Sequence, residues 1–124
     1  MKITLSNGKE LYPLVVTGAQ HYVQGAQRDV LSFVFSAEES MEELDGIFSP
    51  IACENITVTG NDGGLYVYKA YTIRVKLEKT AVEITPATAE NEAVTEERIT
   101  VAMAQRTYTE TQLAALELLL TGGN

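Results

Sequence analysis

The chain has 124 residues, 45% of them hydrophobic, with three prolines, one cysteine and no tryptophan, a composition that fits a folded domain and excludes a disordered tail. A chain of this length hides about two-thirds of its unfolded surface on folding, so residues 1–124 are read as a single domain. Nine Lys and Arg against seventeen Asp and Glu give a formal net charge of −8, which opposes phosphate backbones and anionic lipid, so neither nucleic acid nor a membrane is expected as a partner.

The opening Met1-Lys2-Ile3-Thr4-Leu5 lacks the apolar core of a signal peptide, and no run reaches the roughly 20 apolar residues of a spanning helix. The expectation is a soluble, cytoplasmically made chain. Lys2 to Leu5 and Glu10 to Val16 flank Ser6-Asn7-Gly8-Lys9, and Asn-Gly predicts a β-hairpin because both residues tolerate positive φ. Pro13 lies inside the second arm and cannot donate to a ladder, so this arm is an edge or bends there. Thr17 to Gly25 is read as a further short extended piece or bulge.

Arg28 to Phe48 is the most legible segment. Val30, Ser32 and Val34 alternate with Leu31, Phe33 and Phe35, the period of a pleated strand with one large apolar face. Ser36 followed by Glu39 has capping-box spacing, which predicts a helix starting near Ala37. Ala37, Met41, Leu44 and Phe48 form its apolar stripe, and Glu38, Glu39, Glu42 and Glu43 project elsewhere. Gly46 and Pro50 are expected to end it.

Asn55 to Thr59 reads as a short strand, and Gly60-Asn61-Asp62-Gly63-Gly64 as a turn. From Tyr71 to Glu78, Tyr71, Ile73, Val75 and Leu77 alternate with polar residues as in a half-buried strand, and Val82 and Ile84 either extend it or begin its neighbour. Pro86 to Glu96 is expected to be an exposed acidic loop with a poorly ordered tip. Ile99, Val101 and Met103 form a closing strand, paired antiparallel with the long one. Thr109 and Gln112 repeat the capping-box spacing ahead of Leu113, Leu116 and Leu120, predicting a C-terminal helix over 109–121. Leu118 and Leu119 widen its stripe beyond what a surface helix needs, so part of it is available to another subunit.

The fold class expected from these elements is α+β: a mainly antiparallel β barrel or sandwich with one helix inserted mid-chain and one at the C-terminus. Chemistry-bearing residues are few. His21 is the only histidine, which excludes a two-histidine metal site. Cys53 has no neighbouring cation in sequence and reads as a small buried hydrophobe, which with its being the lone cysteine rules out an internal disulfide. Asn61-Asp62-Gly63-Gly64 lacks the spaced acids of a calcium loop. Tyr66, Tyr68 and Tyr71 near Lys69 and Arg74 could form a stacking platform, but the negative charge favours core or interface packing. No enzyme, cofactor or metal is therefore expected. The candidate interaction surface is Glu38, Glu42 and Glu43 on the first helix and Leu116, Leu119 and Leu120 on the second.

Asn7-Gly8, Val16-Thr17-Gly18, Gln24-Gly25, Arg28-Asp29, Leu31-Ser32-Phe33, Met41-Glu42-Glu43-Leu44-Asp45 and Val101-Ala102-Met103-Ala104-Gln105-Arg106-Thr107-Tyr108 together resemble small proteins encoded in the tail modules of phages and prophages of Gram-positive, gut-type bacteria. The resemblance implies a small β-rich barrel or sandwich with a helix, built into or near a tail tube, hub or baseplate. Its partners would be other tail proteins and copies of itself, and its place the host cytoplasm during assembly or the virion tail. It carries over no catalytic residue. The alternative is a ligand-binding or regulatory module of a bacterium or mobile element, with the tyrosine-rich strand as a pocket wall.

Overall fold

The computed structural model describes residues 1–121, including every side chain up to Leu113 and that of Leu116. Eight strands form two four-stranded antiparallel sheets, β1 (Lys2–Thr4), β2 (Glu10–Leu11), β5 (Asn55–Thr59) and β6 (Leu65–Lys69) in one, and β3 (Val15–Val23), β4 (Ala26–Ser36), β7 (Ile73–Thr85) and β8 (Val94–Ala104) in the other. The strand orders are β2-β1-β5-β6 and β3-β4-β8-β7. Successive hairpins thus alternate between the sheets, and each sheet is completed by pairing β1 with β5 or β4 with β8. Helix α1 (Met41–Ile47) and a single 3-10 turn (Ala52–Glu54) lie in the crossing from β4 to β5, and helix α2 (Tyr108–Thr121) follows β8. The two sheets face each other without closing into a barrel, the sandwich-like form of the expected fold.

The alternating apolar residues meet in one core. Ile3, Leu11, Ile56 and Val58 come from one sheet and Leu31, Phe33, Phe35, Ile99, Val101 and Met103 from the other, with Leu44, Phe48, Ala52 and Cys53 filling the space between them. Phe48 sits at the centre of an aromatic cluster, its ring centroid 5.3 Å from Phe33 and 6.0 Å from Phe35. On the opposite face of the larger sheet Val30, Ala102 and Ala104 form a second, small cluster with Val23 and Ile73.

Several boundaries fall differently from the sequence expectation. The N-terminal hairpin forms around Gly8 (φ +85°), but its second arm stops at Leu11. Tyr12 to Leu14, with Pro13 in the middle, instead carry the chain across to the other sheet, because proline offers no donor to prolong β2. The piece expected after Thr17 is a full strand of nine residues, joined to β4 through Gln24 (φ +45°) and Gly25 (φ +83°), the two positive φ values a two-residue hairpin needs.

Helix α1 begins at Met41, not Ala37. Ser36 is the last residue of β4, paired with Arg98, and its hydroxyl accepts only the Glu38 N–H at 3.2 Å in a local turn. The cap is Ser40, whose hydroxyl accepts the Glu43 N–H at 3.3 Å. Gly46 lies inside the helix, which ends after Ile47 as the Phe48 N–H donates to the Leu44 carbonyl. No basic residue lies in the last turn of α1, and Arg74 of β7 supplies the cation, donating to the Asp45 and Phe48 carbonyls at 3.0 and 2.9 Å and to the Asp45 carboxylate at 2.8 Å. This matches positive charge to the negative helix end.

Residues 65–69 form strand β6, the tyrosine-rich strand, separate from β7. Strand β7 includes Val82 and Ile84. A register irregularity between Arg74 and Lys76 breaks its expected alternation, so Ile73 packs on the small outer cluster, Leu77 on the main core, and Val75 is exposed. The acidic loop is shorter than expected because Val94 to Glu96 already belong to β8. Helix α2 is capped by Thr107, not Thr109. The Glu110 N–H donates to the Thr107 hydroxyl at 3.2 Å and the Thr107 N–H donates to the Glu110 carboxylate at 2.8 Å, a capping box two residues earlier than expected.

Candidate functional site

The acidic face of α1 is where the sequence placed it, although only Glu42 and Glu43 are helical. Glu38 lies in the turn before the helix, and all three carboxylates are exposed. Met41, Leu44 and Phe48 face inward, so the acids are left outward by the same packing that seats the helix. On α2, Leu113 and Leu116 are 52% and 50% exposed, an apolar surface uncovered by this chain. The side chains of Leu119 and Leu120 lie outside the described residues.

The joint between α2 and the sheet is organised by Arg28, whose role no sequence spacing indicates. The residue is 3% exposed, and its guanidinium donates to the carbonyls of Val23 (2.7 Å), Gln24 (3.3 Å) and Gln105 (3.2 Å) and forms a two-pronged pair with Glu110. One side chain therefore ties the β3–β4 turn, the end of β8 and the cap of α2. The Arg28 hydrogen bonds and the Thr107 N–H hold the Glu110 carboxyl down at about 2. A buried arginine opposite an acid in the first turn of a distant helix is a pairing that no local spacing announces.

Cys53 is fully buried, and desolvation pushes its thiol up to about 11, with nearby Arg74 opposing the shift. It packs as a small hydrophobe and is far from a thiolate nucleophile. His21 is exposed on β3 opposite Arg28 and Cys53 lies in the core, so the two are not brought together. Asn61 to Gly64 form a tight turn in which the Gly64 N–H donates to the Asp62 carboxylate at 2.9 Å. Among the described residues, no group of three or more His, Cys, Asp or Glu side chains is placed to hold a metal ion, and no helix is long and apolar enough to cross a membrane.

A cleft of about 370 Å³ opens between the two sheets where β3 approaches the end of β6. Val16, Gly18 and Gln20 form one rim, Leu31 and Asp29 the floor, and Tyr68 and Tyr71 the opposite wall. The tyrosine rings meet edge to face, 5.8 Å apart. Gly18 leaves the rim low because it puts no side chain opposite Leu31. Asp29 accepts from the Gln20 amide at 3.1 Å. Burial, together with the charge of Asp29, raises the Tyr71 phenol above its ordinary range. Tyr68 and Tyr71 thus sit together, while Tyr66, on the same face of β6 as Tyr68, is half exposed and does not line the cleft.

Lys79 to Glu97 form the outer halves of β7 and β8 and their loop, and every residue in this stretch is exposed. It is a two-stranded ribbon extending past the core, carrying Val82, Ile84 and Val94. No family model, no curated protein and no solved structure matches this chain.

Proposed function

We propose that this chain is an assembly module of a phage or prophage tail, acting in the host cytoplasm through protein–protein contacts with other tail proteins and with copies of itself. The ribbon from Lys79 to Glu97 carries the reading. Its strands are paired almost throughout, with one register irregularity between Glu83 and Thr85, yet no residue of it is buried and Val82, Ile84 and Val94 are held out to solvent. Ordering so many residues costs conformational entropy that no buried apolar core within the ribbon offsets, and exposed apolar side chains on an extended arm suit a contact made with another protein. The acidic face of α1 and the exposed leucines of α2 offer further contact area of different chemistry.

The test is size-exclusion chromatography with light scattering over a wide concentration range, alone and mixed with the products of neighbouring genes. Self-association or co-elution is expected. A strict monomer that binds none of its neighbours, from a locus without tail genes, removes the reading. The cleft walled by Tyr68 and Tyr71 favours a second reading, a small-ligand module. A ligand that raises the melting temperature of the native chain but not of a Tyr68→Ala variant would support it.

A further inference from the structure

The sheets have four edges, and they are not equally protected. An edge strand presents unpaired backbone groups to any passing strand, and soluble proteins guard such edges with short length, charge, proline or bulges. Strand β2 has only two residues. Strand β6 has five and ends in Lys69, whose carbonyl already accepts the Gln105 amide at 3.0 Å. Strand β7 carries Arg74, Lys76, Glu78, Lys79 and Glu83 and two register irregularities, and α1 packs beside it. Strand β3 has none of these devices: Val15-Val16-Thr17-Gly18-Ala19-Gln20-His21-Tyr22-Val23 is nine residues long, carries no Asp, Glu, Lys, Arg or Pro, and pairs with β4 without a break.

From this contrast we infer that β3 is the seat of a second copy of this chain, added antiparallel across a two-fold axis at Ala19, so that two larger sheets become one continuous eight-stranded sheet. The inference rests on the assembly reading above and specifies its self-association. The occupant follows from charge and from shape. With a net charge of −8 two copies repel, and this strand, free of formal charge, is where they can approach most closely. The register centred on Ala19 is the one that engages the whole strand: Val15 meets Val23, Val16 meets Tyr22, Thr17 meets His21 and Gly18 meets Gln20 of the other copy.

The hydrogen-bond phase agrees. In a two-residue hairpin the closing pair, here Val23 and Ala26, is hydrogen-bonded, and alternation turns the backbone groups of Tyr22, Gln20, Gly18 and Val16 toward the open edge. Ala19 then faces its own counterpart in a non-hydrogen-bonded pair, where Cα atoms approach to about 4.5 Å and the two alanine side chains meet without a clash. Side chains at Val16, Gly18, Gln20 and Tyr22 share the face that lines the cleft, since they oppose Phe33, Leu31, Asp29 and Gln27. Tyr22, 74% exposed in the single chain, would therefore lie beside Val16 and diagonal to Gly18 of the other copy, covering the low rim of its cleft.

The experiment is oxidative cross-linking of the full chain. Ala19→Cys should give a disulfide-linked dimer as its main product on a non-reducing gel, because the paired positions fall within disulfide reach. In Thr17→Cys the two thiols would be about 13 Å apart along the strands, four residues out of register, and less than a tenth as much dimer is expected. The native chain, whose Cys53 is buried, is the blank. Ala19→Lys should weaken dimerisation in light scattering at least tenfold with an unchanged circular-dichroism spectrum. A monomeric native chain overturns the inference and leaves the assembly reading to its test with neighbouring tail proteins. A native dimer that ignores Ala19→Lys and does not cross-link through Ala19→Cys also overturns it, while self-association through another face survives. Equal cross-linking at both positions rejects the register.

Discussion

Ser36 and Ser40 show how much a single hydroxyl depends on its surroundings. Both are followed three residues later by glutamate, so either could open a capping box. Ser36 is held extended by its pairing with Arg98, and only Ser40 is free to cap. Ser40→Ala should therefore lower stability by about 1 kcal/mol, within the usual range for a lost cap, and Ser36→Ala by clearly less. Chemical denaturation of both variants measures the difference. The Arg28–Glu110 pair is the second residue-scale device. Glu110 titrates at about 2 in the folded chain against an ordinary 4.5. A depressed carboxylate stabilises the fold above its unfolded pKa and loses that contribution as pH falls toward the folded one. Between pH 4.5 and about 2 the native chain should thus lose stability more steeply than Glu110→Gln. The variant should be the less stable of the two near neutrality, as urea midpoints across the pH range would show.

At the scale of elements, the hairpins differ in what they are built to contact. The β1–β2 and β5–β6 hairpins place Ile3, Leu11, Ile56 and Val58 in the core and are short. The β7–β8 hairpin enters the core at Ile99, Val101 and Met103 and then runs on as an exposed ribbon. Excising Glu83 to Thr95 and joining Val82 to Glu96, which face each other in register, through an Asn-Gly turn should leave stability within about 1 kcal/mol, because no buried contact is lost and the closed loop becomes shorter. A thermal melt measures this. On the assembly reading, the same excision should remove binding to neighbouring tail proteins. Replacing Glu38, Glu42 and Glu43 by lysine would probe the α1 face in the same way: all three are exposed, so assembly should weaken while the domain stays folded.

For the molecule as a whole, the excess of acids sets the conditions of association. A net charge of −8 opposes any contact between copies, and about 0.15 M salt shortens the reach of that repulsion to roughly 8 Å. If copies meet through the uncharged β3, raising salt from about 0.02 to 0.5 M should strengthen self-association, whereas a contact built on ion pairs would weaken. Sedimentation or light scattering across that range separates the two.

What the sequence determined by itself is what depends on neighbours in the chain: the Asn7-Gly8 turn, the alternation of Leu31, Phe33 and Phe35 and of Ile99, Val101 and Met103, the stripe of Met41, Leu44 and Phe48, and the outward glutamates that this stripe implies. Such patterns are legible because strand and helix periods are fixed by backbone geometry. Tertiary structure decided the rest. Two capping boxes compete at each helix, and the choice went to Ser40 because β8 holds Ser36, and to Thr107 because Arg28 meets Glu110. The alternation of β7 misled because an irregularity opposite β8 moved Ile73 and Leu77 to different faces. Strand β3 was hidden because its residues are exposed, and an exposed strand has little hydrophobic period to read. The candidate contacts divide in the same way. The acidic helix could be named from local pattern, but the bare edge, the cleft below Gly18 and the buried Arg28 exist only where distant strands are brought together.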